Sequence, residues 1–321
     1  MALYINGNLS DKSFFDSAAR GIHWAVKELG IKAKIVEGGY DPTHWEPDLE
    51  QLAEGDWDLI ITGTYQLIEI VEKIASTHPQ KKFVIYDASV DYSKGNLGNV
   101  YSILYKQNEG SFLVGALAAL LTNSTVNDLN PNQVMGFIGG MDNPVINDFK
   151  IGYIQGANYI DPKVKALASY ADSFNDPAKG KELAIVQYDN GAVIIFNVAA
   201  KTGIGIFLAA QERKKFAIGV DSDQYLLLKK DDPKRAATII TSMIKRVDSS
   251  LFRAIQLHLV GKLEYGKAES LGLKEGAVGI ADNENYQKIV PVEIRKRIHE
   301  IEKKIIDGEI IVDTVFGKKL N

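Results

Sequence analysis

The sequence feature that most constrains the fold is an alternation of short apolar runs with amphipathic stretches along the whole chain. The apolar runs predict strands at residues 3–6, 34–37, 58–62, 83–87, 100–104, 134–139, 165–170, 192–196, 216–221, 238–241 and 278–282. The amphipathic stretches predict helices at residues 13–29, 66–77, 110–121, 145–159, 180–188, 203–213, 244–260 and 292–306. Strands that alternate with helices in this way predict an α/β fold with parallel sheets.

The number of predicted strands indicates more than one sheet. Several strands, such as Leu59 to Ile61 and Val193 to Phe196, are apolar without interruption, as is typical of strands that are buried on both faces. About eleven strands exceed the usual size of one compact sheet. The 321 residues also suffice for two domains of about 100–200 residues each. We therefore expect two similar lobes of five or six strands, the first of which closes near Leu104.

Composition excludes several classes of function. The chain has no cysteine, which excludes disulfides, iron–sulfur clusters, thiol nucleophiles and zinc sites with cysteine ligands. The net charge of −4 provides no general basic field for nucleic acid. The five histidines have no metal-binding spacing, so no metal site is expected. No apolar run reaches the roughly 18 residues that a membrane span requires, and the longest, residues 112–121, predicts a core helix.

Several segments outside the main alternation also give predictions. Residues 1–6 lack the basic region of a signal peptide and begin with a strand pattern, so either the protein is cytosolic or its targeting segment is not part of this chain. Residues 40–47, rich in aromatics and proline, and the Asn-rich residues 123–132 are predicted to be loops. Residues 305–315 predict a helix end, a turn at Gly308 and a short strand.

Acidic and aromatic side chains cluster where the predicted strands end. Because ligands of open α/β sheets bind beyond the carboxyl ends of the strands, these side chains form a candidate site. Its members are Asp11, Asp87, Asp221 and Lys245, with Phe14, Phe15 or Phe174. Carboxylates accept hydrogen bonds from sugar hydroxyls and repel phosphate, while aromatic rings stack on a flat base. The set favours a neutral ligand with a ring and hydroxyls, although each aspartate could equally cap the next helix.

Two enzyme motifs occur only in part. Gly203-Ile-Gly205 precedes a predicted helix, and Asp221 ends the next strand, which outlines a dinucleotide fingerprint. Leu208 stands where the third glycine is required. An NAD-linked oxidoreductase therefore stays open as an alternative, but a helix start packed closely on its strand is preferred. The Ser242-x-x-Lys245 pattern of serine acyl-enzymes lacks its companion motifs.

The order of motifs along the chain resembles one known family. The motifs are the Asp-Lys-Ser-Phe segment at residues 11–14 and residues 108–119, 136–140, 149–157, 173–180, 218–224 and 242–245. Together they resemble the basic membrane protein (BMP, Med, PnrA-like) family of substrate-binding lipoproteins of ABC transporters, many of which bind purine nucleosides. The resemblance covers nearly the whole chain.

The resemblance implies a type I periplasmic-binding-protein fold, in which three crossovers join two Rossmann-like lobes. The family plan places these crossovers near Leu104, Ser242 and Tyr265. The first lobe would then comprise residues 1–104 and 243–265, the second residues 105–242 and 266–321, and the ligand cleft would lie between them.

The family resemblance also implies roles for individual residues. Asp87 would bind the edge of the base, Phe174 would stack on it, Asp221 would hold the ribose hydroxyls, and Lys245 would approach the base or the sugar. The complete predicted ligand-binding set is Asn8, Asp11, Phe14, Phe15, Tyr65, Asp87, Phe174, Lys201, Gly203, Asp221 and Lys245.

Three departures from the family pattern leave the identity of the ligand open. The family commonly has Asp where this chain has Ile5 or Asn6, Asn where it has Phe15, and Gly where it has Lys201. The last of these places a cation where bare backbone usually approaches the ligand.

Partners and location follow from the same resemblance. A binding protein of this kind needs no cofactor and no catalytic residue, because the ligand shifts an equilibrium between open and closed forms by hinge closure. The implied partners are the permease and ATPase subunits of an ABC importer, with no nucleic acid, and a monomer is expected. The implied location is extracytoplasmic, with a lipoprotein anchor whose signal segment is not part of this chain. A ligand-sensing regulatory protein of the same fold is a further alternative, although the chain begins without a helix-turn-helix.

Overall fold

The structure is a computed structural model that describes residues 1–123 and 133–317. The chain divides into two compact units. Unit 1 comprises Met1–Tyr105 and Arg246–Leu271, and unit 2 comprises Lys106–Lys245 and Gly272–Asn321. The second and third boundaries fall later than the sequence-based positions near Ser242 and Tyr265, because one strand continues to Lys245 and another runs to Leu271.

The elements are numbered along the chain. The strands are β1 (Ala2–Ile5), β2 (Lys34–Glu37), β3 (Leu59–Gly63), β4 (Lys82–Tyr86), β5 (Val100–Tyr105), β6 (Val134–Gly139), β7 (Lys165–Tyr170), β8 (Ile194–Val198), β9 (Phe216–Asp221), β10 (Ile239–Lys245), β11 (Lys267–Leu271) and β12 (Val278–Ile280). The helices are α1 (Phe14–Leu29), α2 (Trp45–Glu54), α3 (Ile68–Thr77), α4 (Gln107–Thr122), α5 (Pro144–Ile160), α6 (Pro177–Asp189), α7 (Gly203–Arg213), α8 (Gln224–Leu228), α9 (Pro233–Ala236), α10 (Val247–Leu259), α11 (Glu284–Ile289) and α12 (Val292–Ile306).

Each unit contains one sheet, and the two sheets have the same strand order. In unit 1 the order is β11-β5-β4-β3-β1-β2, and all pairs are parallel. In unit 2 the order is β12-β10-β9-β8-β6-β7, and only the edge strand β12 is antiparallel to its neighbour among the described strands. The predicted α/β fold with two parallel-sheet lobes is therefore confirmed, with this one antiparallel edge as the exception.

Helix α2 was not predicted from the sequence. Residues 40–47 were expected to form a loop, but Asp41 begins a short 3-10 turn and α2 starts at Trp45. Trp45 is buried and packs in a core with Leu49, Phe83 and Ile85. Pro47 is tolerated because it lies in the first turn, where its missing N–H would have had no helical partner.

The C-terminal segment, residues 310–315, forms no strand, contrary to expectation. Its backbone groups instead bond to side chains of α4 and α5. Asn108 donates to the carbonyls of Val312 and Asp313, and Gln155 pairs with Ile311 O and Asp313 N. These contacts replace a strand ladder. We call residues 311–315 the C-terminal strap.

Strand β11 was missed because Lys267 to Leu271 is short and mostly polar. Of the predicted Asn-rich loop, residues 124–132 lie outside the described residues. Across residues 1–123 and 133–317, no helix combines the length and apolar character that crossing a bilayer requires.

Candidate functional site

The loop between β1 and α1 is held by carboxylates at the carboxyl edge of the unit 1 sheet. Ser13 occupies the N-cap position of α1, but the acceptor that caps the helix is the Asp11 side chain rather than the Ser13 hydroxyl. Asp11 accepts from the N–H groups of Ser13 (2.9 Å), Phe15 (2.8 Å) and Asp16 (3.1 Å). Asp16 in turn accepts from the N–H groups of Ser10 and Lys12. The loop backbone is therefore fixed by the side chains that it contains.

Asp11 is fully buried. Its hydrogen bonds establish that it caps α1, while its contact with a ligand stays a prediction. Burial, with a smaller contribution from the nearby Asp16 carboxylate, raises the pKa of Asp11 to about 6, against the lowering effect of the three N–H donors. A carboxyl group whose pKa is raised in the folded state favours folding most at low pH, and this contribution is lost as pH rises through the raised pKa.

We expect Asp11 to titrate near pH 6 in the folded protein. The backbone amides of Ser13 and Phe15 donate to this carboxylate, so their ¹⁵N shifts should follow the same midpoint. Relative to Asp11→Asn, the wild type should lose stability between pH 4 and pH 7, by on the order of 2 kcal/mol. Amide titration by NMR, with urea unfolding of both proteins at each pH, measures this. A midpoint near pH 4, or a pH-independent difference between the two proteins, would contradict it.

Three predicted residues of unit 1 surround the buried Tyr86 at the end of β4. The Phe14 ring lies 5.4 Å from the Tyr86 ring, and Asp11 and Asp87 lie close enough to help raise the pKa of Tyr86, after the larger effect of burial. Phe15 is buried and packs on Gly7, where an added Cβ would lie 2.3 Å from its ring. Asp11, Phe14 and Asp87 are therefore brought together around Tyr86, while the buried Phe15 ring packs against the loop at Gly7.

Four further polar residues of unit 1 follow the strand ends at the same edge of the sheet. The exposed Asn8 bonds through its backbone N–H to Tyr40, whose pKa is raised by burial and by Asp11. Asn6 accepts from Thr64 Oγ1 and donates to Gln66 Oε1, both at 3.1 Å. Tyr65 follows β3 in a 3-10 turn and is 47% exposed. Sequence reasoning missed Asn6 and Tyr40 as members of this face.

In unit 2, Thr202 joins two predicted site segments. Its hydroxyl donates to Ser173 O and accepts from Asp176 N, and its N–H donates to Phe174 O. The half-buried Lys201 and the buried Gly203 flank Thr202 along the chain. The structure therefore brings Phe174, Lys201 and Gly203 together where β8 ends.

The two glycines of the partial dinucleotide fingerprint are explained by packing. A Cβ at Gly203 would lie 2.1 Å from the amide of Asn197, and one at Gly205 would lie 1.8 Å from Pro177 O on α6. Asn197 is fully buried and donates to Gln224 Oε1. Both glycines allow α7 to approach its neighbours closely, in agreement with the preferred interpretation.

Ser242 and Lys245 do not form an acyl-enzyme pair. They were expected between a strand and a helix, but both lie within β10, which continues to Lys245 because Met243, Ile244 and Lys245 pair with β12. Residues three apart in a strand point to opposite faces, whereas S-x-x-K chemistry requires them on the same side. The two side chains therefore have separate surroundings.

Lys245 ends β10 beside Asp221, which ends the neighbouring strand β9. Ile244 and Asp221 are paired in the parallel ladder, so the two charged residues lie at adjacent strand ends. Lys245 is 1% exposed, and its Nζ lies 4.7 Å from the centroid of the Phe149 ring. Asp221 is also buried. Sequence reasoning did not assign Phe149 a place beside Lys245.

Equivalent strand ends in the two units share an uncommon backbone conformation. Asp87 follows β4 with φ 61° and Asp221 ends β9 with φ 62°, and β4 and β9 have the same position in their sheets. Thr64 after β3 and Ala200 after β8 also have positive φ. Left-handed residues other than glycine are uncommon and cluster at functional sites. This repetition makes the same edge of both sheets the candidate functional edge.

Among the described residues, no group of three or more histidine and acidic side chains is placed to hold a metal ion.

One solved structure that resembles the chain closely is an ABC transporter system solute-binding protein from Aeropyrum pernix K1, with a TM-score of 0.86 and 28% identity over 98% of this chain and 92% of that chain. A transcriptional activator of the comK gene from Bacillus halodurans has a TM-score of 0.76 and 20% identity over 97% of this chain and 99% of that chain, which shows the shared fold alone. The fold is that of the periplasmic solute-binding proteins of type I.

Sequence comparison identifies the family. The model of the family described as ABC transporter substrate-binding protein PnrA-like matches residues 1–314. Basic membrane protein A2 of Borrelia garinii subsp. bavariensis is 32% identical over 97% of this chain and 87% of its own length. The CD4+ T-cell-stimulating antigen of Listeria monocytogenes serovar 1/2a is 31% identical over 95% of this chain and 85% of its own length. The chain belongs to the PnrA-like family of ABC transporter substrate-binding proteins, which confirms the resemblance found in its motifs.

Proposed function

We propose that the chain binds a purine nucleoside, or a related small molecule with a flat ring and hydroxyls, for an ABC importer. The main support is that each unit, taken by itself, has an aromatic ring and a carboxylate near the carboxyl edge of its sheet, and we call each such pair a half-site. In unit 1 the pair is Phe14, whose ring contacts Tyr86, and Asp87, which follows Tyr86; in unit 2 it is Phe174 and Asp221. Each offers one ring for stacking and one carboxylate in a left-handed conformation.

The chemistry of these groups suits a nucleoside. A carboxylate accepts two hydrogen bonds, as vicinal ribose hydroxyls or a purine N–H edge can supply. Stacking between aromatic rings adds about 0.5–1.5 kcal/mol beyond the burial of area. Lys201 and Lys245 add cations in unit 2, and the carboxylates oppose a phosphate group. We propose that the other predicted site residues, Asn8, Asp11, Phe15, Tyr65 and Gly203, shape or support these half-sites.

The proposed role includes no chemical turnover. Binding would require only that the ligand be held and then released to the permease. Hinge closure, the lipid anchor and the monomeric state, which follow from the family resemblance, stay predictions. High-performance liquid chromatography after incubation with adenosine should recover the nucleoside unchanged, whereas steady conversion would contradict the proposal.

A thermal-shift panel tests the class of ligand. The panel consists of adenosine, guanosine, inosine, free bases, riboflavin, arabinose and NAD(H). A ligand present at about 100 times its dissociation constant adds about 2.7 kcal/mol to the free energy of unfolding, which raises the melting temperature measurably. We expect a purine nucleoside to give the largest shift.

Other outcomes of the panel would redirect the assignment. A shift with NAD(H) alone would favour the oxidoreductase alternative. A shift with arabinose alone would contradict the nucleoside but keep the binding function. Absence of any shift, followed by absence of binding in calorimetry, would contradict the proposed class of ligand.

A further inference from the structure

The Phe174 ring in unit 2 occupies the space that a side chain at residue 140 would need. Gly140 directly follows β6, and a Cβ at this position would lie 2.2 Å from Phe174 Cδ1 and 2.3 Å from Phe174 Cε1. Cβ atoms do not approach other atoms this closely. Gly140 is buried, and its N–H donates to Val198 O at 2.9 Å. The backbone of Gly140 is therefore held in place, and the ring lies against it.

The backbone conformation of Gly140 does not itself require glycine. Gly140 has no positive φ, in contrast to Gly191 of the same unit, which has φ 96°. An alanine could therefore adopt this backbone, but its methyl group would collide with the Phe174 ring. Because the ring is a side chain that can turn about its own bonds, the methyl group should displace the ring rather than the strand.

The backbone on both sides of Phe174 is fixed by residues at two strand ends. Ser173 N–H donates to Gly140 O at 2.8 Å, after β6. The Thr202 hydroxyl, after β8, donates to Ser173 O and accepts from Asp176 N, both at 2.8 Å. The Thr202 N–H donates to Phe174 O at 3.2 Å, and Thr202 is fully buried. Rotation about its side-chain bonds is thus the main freedom left to Phe174.

A ring that is fixed before the ligand arrives can stack at a lower cost. Phe174 is half-buried, so part of its ring remains accessible. A side chain that is immobilised only on binding loses rotamer freedom, which lowers the affinity, whereas a side chain that is already held avoids this loss. Stacking also depends on the offset and angle between two rings. The groups that set the position of Phe174 should therefore affect binding without contacting the ligand.

We propose that Gly140 and Thr202 are positioning residues for the ligand: Thr202 fixes the backbone of Phe174, and Gly140 leaves the space in which its ring lies. Together they make the ring a preformed platform for a flat base. This inference rests on the proposed stacking role of Phe174. Both residues act through Phe174, so their effect on affinity should disappear when that ring is absent.

The position of the ring can be measured without any ligand. In protein labelled with ¹³C at its 12 phenylalanine rings, the Phe174 signals are assigned by their absence in Phe174→Leu. A nuclear Overhauser effect should join these signals to the Gly140 Hα protons. Thr202→Val, which lacks the hydroxyl, should weaken this effect, whereas Thr202→Ser, which keeps the hydroxyl, should preserve it. Absence of the effect in the wild type, or equal intensity in Thr202→Val, would overturn the inference.

Affinity measurements test whether the position of the ring matters to the ligand. For the purine nucleoside that gives the largest thermal shift, we expect Gly140→Ala to weaken binding about fivefold, in line with the loss of a stacking contact. In the Phe174→Leu background, Gly140→Ala should add no further loss. Gly279→Ala is the matched control and should bind as the wild type does. Gly279 lies in β12 of the same unit, and an added Cβ there would meet no group of residues 1–123 and 133–317 within 4 Å.

The outcomes separate this inference from the proposed function. Weakened binding in Phe174→Leu, together with wild-type binding in a folded Gly140→Ala, would keep the proposed function and overturn the inference. An equal loss from Gly140→Ala in both backgrounds would also overturn it, because the effect would then not pass through the ring. If circular dichroism shows that Gly140→Ala does not fold, Thr202→Val against Thr202→Ser supplies the same comparison. Wild-type binding of every panel compound by Phe174→Leu would instead remove the stacking role itself.

Discussion

Replacing Asp221 with alanine is expected to weaken purine nucleoside binding at least tenfold, which corresponds to about 1.4 kcal/mol or more. Asp221 is buried at the end of β9, beside the end of β10 that contains Lys245. If its carboxylate holds two hydroxyls of the ligand, the alanine variant leaves them without an acceptor. A buried donor left unpaired costs about 1–3 kcal/mol, which exceeds the usual net value of one hydrogen bond. Isothermal titration calorimetry gives the affinities directly.

The backbone at this position requires a second variant. Asp221 has φ 62°, and alanine adopts this left-handed conformation less readily than aspartate or asparagine. Asp221→Asn keeps the backbone preference and the shape but replaces one acceptor with a donor, so a tenfold loss in both variants identifies the carboxylate as the cause. Asp189→Ala is the control, because Asp189 is an exposed carboxylate at the end of α6 that pairs with Arg213. Folded Ala and Asn variants with wild-type affinity would refute the role of Asp221.

Much of the fold could be predicted from the sequence because hydrophobic periodicity determines strands that are buried on both faces. The central strands β3 and β8 begin with apolar runs, and every residue of both strands is buried. Edge strands contain less information, so the polar β11 was missed. The C-terminal strap shows the opposite error. Its apolar residues suggest a strand, but its backbone partners are side chains of α4 and α5, which no local pattern indicates.

The candidate site could be predicted only in part. Spacing and the resemblance to a family place Asp11 and Asp221 at strand ends, but the sequence does not tell which way a carboxylate points. In the structure the Asp11 carboxylate turns to the backbone of its own loop and caps α1. The burial of Asp148 on α5 was not predicted either, although a signal existed: Asp148, Gly152 and Gly156 are spaced by four and share one helix face. Those two glycines indicate that the face is packed, so an acid on it is buried.

The glycine face of α5 gives the second prediction of large effect: Gly156→Ala should lower the free energy of unfolding by about 2 kcal/mol or more. Glycine to alanine inside a helix normally stabilises by about 1 kcal/mol. Here an added Cβ at Gly156 would lie 2.0 Å from Phe112 O, and one at Gly152 would lie 2.2 Å from Asn108 O. These neighbours are backbone atoms of α4, so the helices would have to separate. The cost of lost packing along α4 and α5 should exceed the gain in helix propensity.

Gly110→Ala in α4 is the matched control for this substitution, because the nearest atom to its added Cβ is Met243 Cε, the flexible end of a side chain. It should change stability by less than about 1 kcal/mol. The three tryptophans, Trp24, Trp45 and Trp57, all lie in unit 1, so circular dichroism during urea unfolding follows both units while tryptophan fluorescence follows unit 1 alone. The Gly156→Ala transition should therefore shift in circular dichroism at least as much as in fluorescence. A variant as stable as the wild type would mean that α4 and α5 pack less closely than the structure has them.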